Sequence, residues 1–389
     1  MKIDRIEVFR VHVPMKAETK SSASVPADSL ASFTSGLDKH ILKVHTDDGL
    51  VGLGETWKGT PDAAVRVAAE RLLGQDPTRL SLLRLDLPYH PEVINVRDVG
   101  AVEAVPVRSI EHNPSIHAFE VALADIVGQA FGVPICQLLG GAVRDRVLVH
   151  YWSGRCSPED LGQKAKDAQA RGFTGIKIKC SLDDPHVERA QAVYDACGPE
   201  FRLTMDPNMR FETVEDTLRI AESLAGLSIE VFEDPIPKDN LADYVRIREA
   251  MDIPLGLHLE HPEDVLAAIA AGAADIFNLR GTMSGFIKTG YMAEIAGIRV
   301  WRGSGLDLGI LDASYTHACA AVTSCTLGSD IVGNFLREDD LIVEPLVYEG
   351  SYVKVPEGPG LGVVLDEDAL VKYAVETGDD GGPGAWVVE

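Results

Sequence analysis

Positive charge is scarce in this chain of 389 residues: 36 Lys and Arg stand against 60 Asp and Glu, for a formal net charge of −24. A field of that sign repels phosphate backbones and anionic lipid, which excludes nucleic acid and the membrane surface as partners. Long apolar runs are missing too. No stretch approaches the roughly 18 consecutive apolar residues of a membrane span, so no transmembrane helix is expected. The first residues, MKIDRIEVFRVHVP, alternate like a strand and lack the apolar centre of a secretory leader. The six cysteines (Cys136, Cys156, Cys180, Cys197, Cys319, Cys325) contain no CxxC pair, so reduced thiols in a cytoplasmic protein are expected rather than disulfides. Aromatic content is low at 6%, which argues against a small disulfide-stapled scaffold and suits Gly- and Ala-rich α/β packing.

What is present is length and hydrophobicity. With 46% hydrophobic residues the chain can build a large core, and the natural division is a barrel of roughly 200–250 residues beside a smaller domain. Residues 2–14 read as a strand and 40–57 as a hairpin turning at Asp48-Gly49. Residues 15–36 form a Ser/Ala-rich polar loop, helices are expected at 61–74 and 115–131, and 88–114 is irregular. From Arg146 the texture changes to short strands separated by amphipathic segments: VLVHYWS (147–153), GIKIKC (175–180), FRLTMD (201–206), IEVFED (229–234), IPLGLHLE (253–260), ADIFNLR (274–280), IRVWRG (298–303) and TLGSDI (326–331). Eight βα units in a row predict a closed parallel barrel. The expected fold is α/β: a (β/α)-barrel of the modified TIM type over 131–340, an α+β capping domain over 1–130, and a C-terminal segment, 341–389, that returns to the capping domain and ends in a loosely held TGDDGGPGAW.

In such a barrel the polar residues at the C-terminal ends of the strands make the active site. Lys177 and Lys179 share one face of the second strand, because side chains alternate. Two ammonium groups in a partly dry cavity disfavour each other's charge, so one of them is a candidate base; an exposed, charged strand end is the plain alternative. Asp206 and Glu233 end the third and fourth strands and would stand level. Two such carboxylates need a cation between them, and hard oxygen donors on rigid strands suit Mg²⁺; helix capping is the competing reading. Asn208, just past Asp206, either caps a helix or faces substrate. The fifth strand offers His258 and Glu260 on one face as further ligands, with a structural histidine as the alternative. Arg280 ends the sixth strand and is suited to hold a carboxylate, or to pair with Glu260 or Asp307. Asp307 follows a Gly-rich turn and either binds a substrate amine or hydroxyl or pairs with a neighbouring lysine. Of Tyr151 and Trp152, alternation lets only one line the pocket.

Taken together, TDDGLVGLGETW, ALADIVGQAFGVPICQLLGGAVRDRV (122–147), KIK, DPN, FEDP and VPEGPGLGVVLD resemble, in order and spacing, the enolase superfamily in its mandelate racemase, muconate lactonizing and glucarate dehydratase branches. The superfamily is itself a standard example of a Lys or His base working with Mg²⁺. The resemblance implies that a small substrate carboxylate chelates Mg²⁺, which acidifies the α-proton and stabilises the enediolate formed on its loss. By position it makes Lys179 the base, Lys177 its partner and a contact of the carboxylate, Asp206 and Glu233 metal ligands, and the loop at 15–36 a lid. It also implies a homo-oligomer, a dimer or an octamer. Two positions depart from the pattern: His258 stands where an acidic or amide ligand is usual, and Arg280 stands where a lysine or a His-Asp pair would complete the opposite face. A catalyst on one face only favours dehydration of a hydroxy acid or acid sugar over racemisation, epimerisation or cycloisomerisation. The remaining reading is a degenerate member that binds a carboxylate between Lys177, Lys179 and Arg280.

Overall fold

The structure, a computed structural model, describes residues 1–17, 36–79, 114–376 and 384–389. The expected lid, apart from its ends, and the segment 88–113 lie outside the described residues. The capping sheet is antiparallel: β1 (Ile3–Val13), β2 (Leu37–Thr46) and β3 (Val51–Glu55), with β14 (Ala385–Val388) beside β1. The β2–β3 hairpin turns at Gly49, whose φ of 91° suits glycine. Helices α1 (Asp62–Leu72) and α2 (Pro114–Phe131) cover one face. Ile6, Val8, Leu42 and Val44 alternate toward Val65, Phe119 and Leu123, the core of this unit. β3 can lie close on α2 because Gly54 has no side chain: a Cβ there would sit 2.3 Å from the Ala118 carbonyl oxygen. The expected loose tail ends in an edge strand: its last two residues, Ala385 and Trp386, belong to β14, with Trp386 buried against the cap.

After the short α3 (Ile135–Leu138), the segment 147–153 forms two strands, not one. β4 (Arg146–Leu148) pairs with a late hairpin, and β5 (Tyr151–Ser153) opens the barrel. Then follow α4 (Pro158–Ala170), β6 (Gly175–Lys179), α5 (His186–Cys197), β7 (Arg202–Asp206), α6 (Val214–Ser223), β8 (Ile229–Glu233), α7 (Leu241–Ala250), β9 (Leu255–Leu259), α8 (Pro262–Ala271), β10 (Ile276–Leu279), α9 (Met283–Ile295), β11 (Arg299–Arg302) and α10 (Gly309–Ala321). The chain ends through α11 (Gly333–Leu336), β12 (Tyr348–Glu349), β13 (Tyr352–Lys354) and α12 (Glu367–Tyr373). Strands β5 to β11 make one parallel sheet in sequence order, curled into a modified TIM barrel. Local signals start the helices: Ser157, Thr213, Asn240, Thr282 and Asp366 each accept a backbone N–H from the first turn of the helix they precede.

The eighth expected strand does not form. Cys325 and the TLGSDI segment close the gap between β11 and β5 through isolated bridges, Val300 to Cys325 and Val149 to Ser329, and scattered backbone hydrogen bonds. Gly328 lies against His150 in this segment, and a Cβ there would meet the His150 ring at 2.2 Å. The six cysteines are free thiols, as the spacing predicts. Among the described residues no helix is long and apolar enough to cross a membrane.

Candidate active site at the barrel mouth

The parity of β6 is set by its neighbours. Ile176 and Ile178 are fully buried on the helix side of the sheet, and each stabilises that register by about 1.5–3 kcal/mol. A slip by one residue would drive two lysines into the helix layer instead. Lys177 and Lys179 are thereby turned into the barrel. Strand pairing puts Lys179 beside Asp206, and one step further round the sheet Met205 pairs with Phe232, so Asp206 and Glu233 stand level.

The four side chains meet. Lys177 Nζ lies 2.6 Å from Glu233 Oε2, 3.2 Å from Asp206 Oδ2 and 3.0 Å from Asp330 Oδ2, while Lys179 Nζ donates to Asp206 Oδ2. Asp206 and Glu233 are each 1% exposed. Below them Trp301 forms a floor, its ring centroid 5.7 Å from Lys177 Nζ. Asp206 Oδ1 also accepts the Asn208 N–H at 2.9 Å, and Asn278 Nδ2 donates to Glu233 Oε1 at 2.6 Å.

The electrostatics differ from the expected mutual weakening of the lysines. Burial alone would lower Lys177, but Asp330, Glu233 and Asp206 raise it well above the ordinary lysine value. Burial opposes the charge of Asp206 too, yet Lys179 and Lys177 hold it well below the carboxylate range. Three carboxylates here share two ammonium groups, and Glu233 carries the shortfall: burial and the neighbouring Asp206 push it up.

A second group stands further along the strands. His258 is in register with Asn278, two residues beyond Gly256, the partner of Glu233. His258 Nε2 lies 3.3 Å from Glu260 Oε1, and Arg280 Nη1 lies 3.5 Å from the same oxygen. Burial lowers His258 to about 4, so it is a neutral imidazole. Among the described residues no three His, Cys, Asp or Glu side chains gather closely enough to hold a metal ion as they stand. His258 and Glu260 pair with each other, and Glu260 also pairs with Arg280. The donors that do converge nevertheless have the chemistry Mg²⁺ takes. They are carboxylate oxygens of Asp206, Glu233 and Asp330 around one cation, with the Asn278 Oδ1 atom buried and without a partner.

Three expectations need correction or refinement. Tyr151 is not a pocket residue. It pairs with Ile176 on the outward side, edge-on to Phe173 at 5.3 Å, whereas Trp152 pairs with Lys177 and faces inward. Asn208 caps no helix: it sits in a turn with φ 47°, and α6 is capped by Thr213. Of the two roles open to Asp307 the structure shows the lysine pair, but with Lys39 of the capping sheet. Lys39 Nζ also donates to Glu55, Tyr315 Oη donates to Asp307 at 3.0 Å, and Leu308 N and Leu311 N bind Glu55 at 2.8 and 2.9 Å. This buried network, with Glu120 of α2 accepting Met283 N and Ser284 N at the start of α9, fastens the cap across the barrel mouth.

The sequence reading passed over Asp330 and Asn278. The rule that found the other residues would have found both: Asn278 is two residues before Arg280 on the same face, and Asp330 lies near the end of TLGSDI. Lys58, which follows Trp57 in the capping domain, had no sequence signal. Its position depends on the cap docking, with Trp57 Nε1 donating to Tyr315 Oη at 3.0 Å and the Trp57 ring lying 5.2 Å from the Arg280 guanidinium.

Comparison with known proteins agrees with this architecture. Residues 6–140 match the family described as mandelate racemase / muconate lactonizing enzyme, N-terminal domain, and residues 160–369 match the one described as enolase C-terminal domain-like. The chain belongs to the mandelate racemase / muconate lactonizing enzyme family of the enolase superfamily. It is 24% identical to an N-succinyl-L-Arg/Lys racemase of Bacillus cereus, over 96% of this chain and 98% of that one. It is 29% identical to a D-galactarolactone cycloisomerase of Agrobacterium fabrum, over 86% and 91%. The solved muconate lactonizing enzyme from Pseudomonas fluorescens complexed with muconolactone superposes with a TM-score of 0.80 at 24% identity, over 96% and 99% of the two chains.

Proposed function

We propose, with membership of that family as the premise, that this chain is an enzyme that removes the proton next to a substrate carboxylate from one face, with Lys179 as the base, and then expels a β-oxygen. That makes it a dehydratase of a hydroxy acid or acid sugar. The observation that carries the one-face reading is the residue just after β10. Arg280 is a guanidinium that stays protonated, lies against Trp57 and pairs with Glu260, so it takes no proton. Lys179, once it has accepted the α-proton, is an ammonium on the same face and returns a proton to the departing hydroxyl.

Enolase-superfamily enzymes generally use Mg²⁺. Asp206 and Glu233 would hold it here, with Asn278 or Asp330 completing the set, and when bound it would supply Lewis-acid stabilisation of the charge that develops on the substrate carboxylate. Lys177 is a fixed cation over the Trp301 floor and offsets the same charge from the protein side. The neutral His258 and the Glu260–Arg280 pair border the reacting centre and orient the substrate.

A second reading is isomerisation through the same proton removal, favoured by the racemase and cycloisomerase relatives. Reaction in D₂O separates the two. Hydroxy-acid substrates should yield a keto acid in a Lys179-dependent manner. Deuterium in recovered substrate with no keto product would replace dehydration by isomerisation, and absence of both would end the proton-removal reading.

A further inference from the structure

Two of the six free thiols stand together where the barrel wall closes without a strand. Cys319 lies in the last turn of α10, and Cys325 opens the segment that joins β11 to β5. Cys319 Sγ lies 3.9 Å from Ser329 Oγ, and Cys325 Sγ lies 3.8 Å from the same oxygen. Their backbones share a partner as well. Arg144 Nη1 donates to the Cys319 carbonyl at 3.1 Å, to the Val322 carbonyl at 3.0 Å and to the Cys325 carbonyl, while Nη2 donates to the Thr323 carbonyl at 2.9 Å. One guanidinium therefore gathers the turn 319–325, and one hydroxyl touches both sulfurs.

The two thiols are not equivalent. Cys319 is fully buried, and burial together with the neighbouring Cys325 thiol holds it well above the ordinary thiol value. Cys325 is lowered, chiefly by its hydrogen bond with the Cys319 thiol; burial opposes this, and Ser329 and the Arg144 charge add to it. The thiolate is the nucleophile in disulfide exchange, which suits Cys325 to attack and Cys319 to resolve. Cys325 also lies nearer the surface: it is 4% exposed, but Thr323 and Thr326 close to it in the chain are exposed. A single bridge and turn bonds hold it, not a ladder, and backbone of that kind opens locally to admit a reagent.

We propose that Cys319 and Cys325 form a thiol–disulfide exchange site, which closes to an intramolecular disulfide by reaction with a small-molecule disulfide. The Cys325 thiolate attacks one sulfur of the small disulfide; that S–S bond breaks, and the other half leaves as a thiol with the proton that Cys325 lost. Cys319 then attacks Cys325 Sγ and displaces the second half, which leaves with the Cys319 proton. The protein is oxidised by two electrons and the small disulfide is reduced to two thiols. The new bond ties the end of α10 to the irregular join of the wall. Asp330, the counter-charge 3.0 Å from Lys177, follows Ser329 in that join, so the oxidation state of the pair sets how firmly this carboxylate is held.

The test incubates the folded protein with oxidised glutathione and counts free thiols after denaturation. The count should fall from six to four. The bond should map, as a loss of two hydrogens, to the tryptic peptide 303–337, which carries these two cysteines and no other. Cys319→Ser should stop at a mixed disulfide of Cys325 with glutathione, and Cys325→Ser should leave Cys319 a free thiol. Where a variant does not fold, the mapping in the wild-type chain decides. The oxidised protein should melt at a higher temperature than the reduced one, because a cross-link constrains the unfolded chain. A count that stays at six, a bond to any other cysteine, or reaction only in denaturant overturns the site. A mapped disulfide that leaves the melting temperature unchanged or lower overturns the fastening of the wall.

Discussion

Lys39 on the capping sheet and Asp307 on the loop after the seventh barrel strand form an ion pair with side chains 0% and 1% exposed, 268 residues apart in sequence. Glu55 shares the same ammonium. Removing a buried charge leaves its partners uncompensated, which typically costs about 3–5 kcal/mol. Lys39→Met should lower the urea midpoint by a corresponding amount, and the added change Asp307→Asn should recover part of it. A midpoint within experimental error of wild type would show that the pair does not fasten the cap.

Lys177 makes the corresponding prediction inside the barrel. Lys177→Met leaves Asp206, Glu233 and Asp330 crowded around an apolar side chain. The metal-free variant should unfold at a lower temperature than wild type, and added Mg²⁺ should raise its melting temperature more than it raises that of wild type. Equal Mg²⁺ responses would separate the three carboxylates from the metal.

Lys179→Met should reduce α-proton exchange in D₂O by about 10²–10⁴, the range for loss of a general base, and leave Mg²⁺ binding within a few-fold. Asp206→Ala should abolish the Mg²⁺-induced rise in melting temperature. If Lys179→Met loses metal binding and exchange together, its role is to support Asp206 and not to move the proton.

Lys58 gives the pH dependence. Burial and the flanking Arg280 and Arg337 hold it near 8 in the folded chain, with Asp307 and Lys179 also facing it. In the unfolded chain it titrates near 10.4 or so. Between these values the unfolded chain binds the extra proton, so this group makes stability rise with pH across that window; below pH 8 its penalty is fully present. Melting curves at pH 7.5, 8.5 and 9.5 should show a contribution in wild type that is absent in Lys58→Met. Parallel curves would mean that Lys58 titrates alike in both states.

Alternation within strands made much of the site legible. Lys177, Lys179, Asp206 and Glu233 follow from period-two patterning at strand ends, because parity in a barrel wall is enforced by the buried residues between them. The same rule left Tyr151 and Trp152 undecided, since only the pairing of Trp152 with Lys177 fixes which one faces inward. Lys39 and Lys58 were invisible because their surroundings are made by docking of the cap, not by local sequence. TLGSDI reads as a strand from its composition, but it joins its neighbours by isolated bridges, and the close approach of Gly328 to His150 is a contact that the composition does not reveal.

That irregular closure has a dynamic consequence. Every other join in the barrel wall is a ladder of strand pairs, but between β11 and β5 residues 325–330 hold by scattered backbone bonds such as Ser329 N to the Leu148 carbonyl at 2.9 Å and Asp330 N to the Arg302 carbonyl at 2.9 Å. Such a seam should breathe first, and its amides should exchange with solvent ahead of those in β6 to β8. Asp330 lies on the seam, so each opening withdraws one counter-charge from Lys177, and fluctuation of the wall becomes fluctuation of the field at the reacting carbon.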